Sequence, residues 1–273
     1  MKSLFGESCG RLSAWFLISK KSMDARARRV IRENMERVYR MGLGFCGNHA
    51  DAQDLVQETM LRAYQSWEKF EGRADPKTWL YRIASRMCIR MRRRRAGQPA
   101  QMESLDQDPA FAEKTMVDLD ALARQGEGVL DESPALLQLQ EAITKLPPEF
   151  RIVLVLKEIG ELSVEDVARA LDLKPQTVKT RLHRARMRIR EHVAKNLPQK
   201  SGAQPAYSKR VCLVLLRAKQ DALDRGVPFP VQQSLICERC QAVFSTLDLA
   251  HDLCTRLGTG PLPDEVQELL RTL

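Results

Sequence analysis

The sequence predicts an all-α protein: two small helical domains joined by an acidic linker and followed by a small helical extension. Apolar residues recur at helical spacing through most of the 273 residues, and no convincing run alternates β-branched with polar side chains. Positive charges concentrate on either side of one acidic segment. From Ser163 to Glu191 the pattern is that of two short helices packed across a tight turn.

Composition limits the partners of the chain. It has 44 Lys and Arg against 35 Asp and Glu, a formal net charge of +9, and a pI near 9.3. Such a balance favours a polyanion, either nucleic acid or an anionic membrane. No apolar run approaches the roughly 20 residues of a membrane span. The seven cysteines are not spaced like a secreted disulfide framework, which predicts a reducing cytoplasm.

Residues 1–22 are expected to be a disordered extension. Their apolar patch from Leu12 to Ile18 is short, and charges rather than a small-residue cleavage pattern follow it. A signal peptide is therefore not expected, and Met23 is an alternative start of the protein.

Residues 23–95 are predicted to form the first domain. In the helix expected from Ala50 to Glu71, the carboxylates of Asp51, Asp54 and Glu58 fall at i, i+3 and i+7 along one stripe. That stripe suits either a solvated face or docking on a basic helix. A turn-rich loop from Phe70 to Pro76 precedes a second helix.

The helix predicted from Lys77 to Arg95 mixes aromatic residues with many arginines. Aromatic rings stack on unpaired bases and guanidinium groups bind phosphates, so the mixture suits single-stranded or melted DNA. The alternative for Trp79 is a plain core position. The run from Arg92 to Arg95 favours a polyanion over a bare solvated helix end.

Residues 96–133 are predicted to be the acidic linker, and residues 134–196 the second domain. Between Ala96 and Lys145 there are ten acids and three bases, a difference of −7. In the second domain Ser163 is placed to cap one helix and Pro175 to begin the next. Outward Thr, Lys and Arg side chains on that next helix suit entry into the DNA major groove.

Three stretches, at Asp51–Tyr64, Phe70–Arg95 and Leu146–Arg186, together resemble the extracytoplasmic-function (ECF) sigma factors of bacterial RNA polymerase. The resemblance covers about residues 23–196. The chain differs from the family pattern in having Arg86 where Asn is usual, Arg90 and Met91 near the usual Asp, and Gln176 for Gly. These differences leave the promoter sequence open.

The resemblance implies a surface for each partner: the β′ clamp helices and β flap of core RNA polymerase, the −10 element and the −35 element. The linker would thread through the polymerase cleft. Residues implied to contact polymerase are Asp51, Asp54, Gln57 and Glu58. Residues implied at the −10 element are Phe70, Arg73, Lys77, Trp79, Arg82, Arg86, Arg90, Arg92 and Arg93. Residues implied at the −35 element are Gln176, Thr177, Lys179, Thr180, Arg181 and Arg184.

Residues 206–273 form a cysteine-bearing extension that weakly resembles zinc-binding anti-sigma domains. Cys237 and Cys240 have the C-x-x-C spacing that lets two thiolates meet one zinc. The predicted ligand set is Cys212, Cys237, Cys240 and Cys254, with His251 as a substitute. Buried structural cysteines and a reversible disulfide are the alternatives. Regulation of the factor in cis by this extension is the hypothesis.

The sequence therefore predicts a non-enzymatic transcription initiation factor that needs no cofactor for its core activity. Its predicted partners are polymerase and promoter DNA, with a separate anti-sigma factor as a further candidate and no membrane. A stand-alone helix-turn-helix regulator is the rival, but it would have no use for the Asp51–Arg95 stretch. A zinc enzyme is disfavoured because no catalytic carboxylate signature accompanies the C-x-x-C pair.

Overall fold

The computed structural model describes residues 25–72, 75–95, 115–121, 132–195 and 197–259, with 262, 264 and 266–268 near the C-terminus. The predicted disordered extension, residues 1–22, lies outside these ranges. Helices dominate the described residues, and the predicted all-α class is confirmed. No helix in these ranges is both long and apolar enough to cross a membrane.

Three helices form the first bundle. They are α1 (Ala25–Cys46), α2 (His49–Ser66) and α3 (Pro76–Arg95), with a 3₁₀ turn at Trp67–Lys69 after α2. Gly47, at φ +82°, makes the tight turn between α1 and α2. Asn48 caps α2 by accepting a hydrogen bond from the Asp51 amide. Apolar residues at helical spacing, such as Ile31, Met35 and Val38 of α1, are buried between the helices.

The second group is built around a helix-turn-helix. Its elements are α4 (Glu132–Lys145), α5 (Pro148–Leu154), a π-helical turn (Val155–Ile159), α6 (Val164–Leu171) and α7 (Pro175–Lys195). The Ser163 hydroxyl accepts a hydrogen bond from the Asp166 amide at 3.0 Å, as the sequence predicts. Asp172 ends α6 in the left-handed conformation, and Pro175 begins α7.

The two groups share one hydrophobic core. Gly44 of α1 lies so close to the π-helical turn that an added Cβ would come within 2.9 Å of Val155 Cγ2. The Arg37 guanidinium donates to the Ile159 carbonyl oxygen at 3.0 Å. At the start of α3 the Thr78 hydroxyl donates to the Asp166 carboxylate at 3.3 Å. The start of α3 is therefore held against the start of α6.

A small antiparallel sheet joins the predicted linker to the stretch that follows α7. Strand β1 (Thr115–Val117) lies in the predicted acidic linker, and β2 (Gln199–Ser201) lies in the Pro-, Gly- and Ser-containing stretch after α7. The Lys200 ammonium bonds Glu238 at 2.6 Å and lies 3.8 Å from Asp120. Such three-residue strands pair across the chain and leave no periodic signal in the sequence.

The C-terminal extension is helical and packs on both groups. It consists of α8 (Lys209–Arg225), a 3₁₀ turn (Gln233–Leu235) and α9 (Glu238–Thr259). Ala250 and Leu253 of α9 enter the shared core. Nearer its start, α9 joins α8 in a second cluster that includes Met187 of α7, Cys212 and Phe244. The extension is thus attached along α7 rather than tethered loosely behind it.

Candidate nucleic-acid interface

Helix α7 has the two faces expected of a recognition helix. Its inward side chains are buried against α5 and α6: Val178, Leu182, Ala185 and Ile189. Exposed or partly exposed on the other side are Gln176, Thr177, Thr180, Arg181 and Arg184. The Thr180 hydroxyl donates to the Gln176 carbonyl oxygen at 2.9 Å. This side carries the hydrogen-bonding groups that read base edges and phosphates.

One flank of α7 is covered by α8. The Lys179 ammonium, which the sequence assigns to DNA, lies 3.3 Å from the Asp221 carboxylate. One turn further along, the His183 ring lies 3.3 Å from Asp224. The Gln220 side-chain amide donates to the His183 carbonyl oxygen at 3.3 Å. Lys179 is therefore engaged within the chain.

A buried ionic cluster lies where α7, α8, α9 and the π-helical turn meet. The Arg186 guanidinium contacts Asp224 at 2.6 Å and Glu158 at 2.7 Å, and all three side chains are at most 5% exposed. His251 Nδ1 lies 2.7 Å from the other Glu158 oxygen. Burial alone would raise the pKa of Glu158, but Arg186 and His251 outweigh it and lower that pKa to about 2. The carboxylate is thus ionised at neutral pH.

The pKa values of Asp224 and His251, which belong to the same cluster, are also shifted. Burial would raise the pKa of Asp224, but His183 and Arg186 lower it overall. The nearby Glu158 carboxylate raises the pKa of His251 against the effect of burial. No sequence pattern predicted this cluster. Its one signal was Glu158, which follows five consecutive apolar residues (152–156) and Lys157.

Helix α3 combines aromatic and basic groups near its start. Trp79 is half-buried and joins Trp67 and Phe70, with ring centroids 5.1 to 5.7 Å apart. The Trp79 ring packs on the core and is partly exposed, and its stacking on DNA stays a prediction. Lys77 lies 5.7 Å from the centre of the Tyr81 ring. Further along, Arg86 and Arg90 are exposed and Arg82 is half-buried.

The carboxylate stripe on α2 is shorter than predicted. Asp51 is 6% exposed, and its carboxylate accepts a hydrogen bond from the Asn48 side chain at 2.8 Å. At the start of α2 its carboxylate therefore holds the side chain of the Asn48 cap, which corrects its placement on an exposed stripe. Asp54 and Gln57 are exposed, and Glu58 is partly exposed and bonds Arg62 at 2.8 Å.

The structure separates the four cysteines predicted as one ligand set. Cys240 and Cys254 are both on α9, fourteen residues apart, which is about 21 Å along a helix. Cys254 is buried near Glu158 and Arg186 instead, and its pKa is raised, chiefly by burial. The prediction that Cys254 joins the other three was wrong because the continuous helix holds it away. His251 is excluded as a substitute since it faces Glu158.

Three thiols do meet at the start of α9. Burial, with Cys237 and Cys212 nearby, raises the pKa of Cys240. Burial would also raise the pKa of Cys237, but backbone N–H groups of Cys240 and Ala206 lower it overall. Zinc needs sulfurs about 3.8 Å apart at Zn–S distances near 2.3 Å. Among the described residues, the ligand atoms that all lie within 4.8 Å of one another do not include this trio of sulfurs, and zinc binding by the three thiols stays a prediction.

A different trio does converge: His183, Asp221 and Asp224, whose ligand atoms all lie within 4.8 Å of one another. Its carboxylates already contact the positive groups of Lys179 and Arg186. A divalent cation there would have to displace or oppose both. The trio is therefore an ionic joint between α7 and α8 rather than a metal centre.

Three predicted DNA contacts cannot be placed. Arg73 lies outside the described residues, and of Arg92 and Arg93 only the helical backbone is described.

Comparison with known proteins adds family relationships. The family model of Sigma-70 region 2 matches residues 30–98, and that of Sigma-70, region 4 matches residues 136–189. The ECF RNA polymerase sigma factor SigW of Bacillus subtilis is 34% identical over 164 residues, covering 58% of this chain and 83% of SigW. The ECF RNA polymerase sigma factor SigE of Mycolicibacterium smegmatis is 35% identical over 169 residues. That match covers 61% of each chain.

A solved structure of the sigma factor RpoE in complex with the anti-sigma factor NepR, from Bartonella quintana, is also similar. It aligns over 60% of this chain and 91% of that one, with a TM-score of 0.40 and 23% identity. The two family models leave the C-terminal extension uncovered, because the second of them ends at residue 189.

Proposed function

The chain belongs to the extracytoplasmic-function sigma factors of bacterial RNA polymerase, and we propose that it binds core polymerase and directs initiation at specific promoters. It would act as a binding factor with no enzymatic activity and no required cofactor. The observation that carries the proposal is the presence, in one chain, of a recognition helix and of an aromatic, arginine-bearing helix. A stand-alone regulator of duplex operators would need only the first.

Three surfaces would serve the three partners. On α2 the exposed groups of Asp54, Gln57 and Glu58 would meet the β′ clamp helices, and the second domain would meet the β flap. Asp51 would support that surface from beneath by holding the Asn48 cap of the helix. On α3 the open aromatic edge and the arginines would hold the unpaired −10 strand. On α7 the exposed polar row would read the −35 duplex.

The compact arrangement described above would have to open on a promoter. The −10 and −35 elements lie about 25 base pairs apart by their names, which is about 85 Å of duplex at 3.4 Å per pair. In the closed chain the start of α3 is hydrogen-bonded to α6 through Thr78 and Asp166. One rigid body cannot reach both elements in this form. The extension could therefore regulate the factor by controlling the change from this closed arrangement to an open one.

We further propose that the extension regulates the factor in cis through thiol chemistry. Cys237 has a lowered pKa and is partly exposed at the start of α9, the properties of a reactive thiol. With a peroxide-class oxidant, Cys237 and Cys240 would each lose one electron and one proton to form a disulfide, while hydrogen peroxide becomes two waters.

Transcription in vitro with purified core polymerase tests the main proposal. A promoter selected from random DNA should give transcripts only when the chain is present. Changing both Asp54 and Gln57 to Ala should reduce binding to core polymerase, whereas the same change at the exposed Gln65 should not. Failure of the unchanged protein to bind core polymerase would favour the stand-alone regulator.

The thiol proposal needs a separate measurement. Transcription with reduced protein and with peroxide-treated protein should differ, and Cys237→Ser should abolish the difference. Cys88→Ser, at a buried position of the first bundle, should leave the response intact. Equal output from reduced and oxidised protein would contradict regulation by these thiols.

A further inference from the structure

The contact between α8 and α7 has a consequence for DNA reading. Lys179, His183 and Arg186 lie at i, i+4 and i+7, and so they form one continuous flank of the recognition helix. Each of the three is met by a carboxylate of α8, either Asp221 or Asp224. Opposite charges are thus matched along about two turns of helix.

Apolar packing continues the same contact. Met187, one position beyond Arg186, is 6% exposed and belongs to the cluster that contains Cys212 and Leu216 of α8. The Lys219 ammonium of α8 is bonded to Asp248 of α9 at 2.5 Å, so α8 is itself held by the next helix. The cover on α7 is therefore a packed helix and not a few mobile side chains.

Groove dimensions decide what this cover does. The major groove of B-DNA is about 12 Å wide, and a helix with its side chains is about 10–12 Å across. One helix fills the groove. A second helix packed on the flank of α7 would meet the phosphate backbone at the groove wall, and its two carboxylates would face the negative charge there.

We propose that α8 is an intramolecular cover that competes with promoter duplex for the recognition helix. Asp221 and Asp224 stand where DNA phosphates would meet Lys179 and His183, and promoter reading requires α8 to leave. This inference rests on the proposed function and deepens it: it names the covered surface and the acidic helix that covers it. It does not depend on thiol oxidation.

Substitution of Asp221 by Asn tests the cover with little risk to folding, since this side chain is 47% exposed. The matched control is Asp264→Asn, an equal change in charge at an exposed position of the same extension. Transcription is measured with limiting factor and core polymerase on the selected promoter, and on the same template with its −35 element scrambled. Asp221→Asn should raise −35-dependent transcription about two- to fivefold, the range of exposed ion pairs.

Asp224→Asn should raise −35-dependent transcription further, by about tenfold, because Asp224 is buried with Arg186 and charged hydrogen bonds there are stronger. As that variant can also loosen the fold, hydrogen–deuterium exchange of the unchanged protein gives an independent measure. Amides of residues 209–225 should exchange faster in the polymerase–promoter complex than in the free chain.

The outcomes separate the two proposals. Transcription that is equal for Asp221→Asn, Asp264→Asn and the unchanged protein, with residues 209–225 equally protected on the promoter, would overturn the cover and leave the sigma function standing. No transcription from any of the proteins would refute the proposed function, and the cover with it.

Discussion

Replacing Glu158 by Gln removes the central charge of the buried ionic cluster while keeping the shape of the side chain. Glu158 is 3% exposed and contacts both Arg186 and His251. Its pKa falls from 4.5 to about 2 in the folded chain, which corresponds to about 3 kcal/mol of stability at neutral pH. Removing one partner of a buried pair costs about 3–5 kcal/mol by itself. The two magnitudes agree.

The pH dependence of the effect follows from the direction of that pKa change. Because the folded state lowers the pKa of Glu158, its contribution is complete above the unfolded value of 4.5 and is lost as pH falls towards about 2. Urea unfolding followed by circular dichroism should therefore show a loss of about 3 kcal/mol for the variant at pH 7. At pH 3 the loss should be less than half as large.

Glu141→Gln is the matched control. Glu141 bonds Lys145 at 2.7 Å on the surface of α4, with both side chains more than half exposed. Exposed pairs of this kind add little, so unfolding should be nearly unchanged. A loss below about 1 kcal/mol for Glu158→Gln at pH 7 would refute the reasoning. So would a loss of equal size at pH 3.

Three further outcomes are expected. Brief treatment with iodoacetamide should label Cys237 before Cys240 and Cys254, whose thiols are buried and have raised pKa values; mass spectrometry of the peptides would detect any other order. The ion pair of His251 with Glu158 should stabilise α9 fully below pH 6.5, and this stabilisation should be lost as pH rises through the raised pKa of His251. Amide exchange in α9, corrected for the intrinsic rate, should therefore become faster over that pH range. In the His251→Gln variant this pH dependence should be absent. Gly44→Ala should lower the free energy of unfolding by about 1–3 kcal/mol, since its Cβ would press on Val155; an unchanged thermal midpoint would contradict that close packing.

Local signals were sufficient for much of the fold. The cap at Ser163 and the start of α7 at Pro175 each depend on residues a few positions apart, and the structure has both. The same holds for the inward face of α7. Such features follow from backbone chemistry within one or two turns, which a sequence displays directly.

Contacts between segments that are distant in the sequence could not be predicted from it. Arg186 meets partners that lie 28 and 38 residues away, and β1 pairs with a strand more than eighty residues later. Asp51 had the right spacing for an exposed stripe, yet a neighbouring cap draws it inward. The C-x-x-C spacing indicated a thiol pair correctly but carried no information on Cys254, which the length of α9 separates from it. The assigned polymerase and DNA contacts stay predictions.

The chemistry of the joint between α7 and the extension differs from that of an ordinary core. Apolar residues of the same volume would often hold two helices as firmly as a buried ion cluster does, and sometimes more firmly. A purely apolar joint would also leave an exposed apolar surface on α7 after opening, and such a surface favours aggregation. After opening, water can instead solvate the Asp221 carboxylate, and DNA phosphates can pair with the Lys179 ammonium. A joint rich in matched charge is therefore suited to a contact that forms in one state and is released in another.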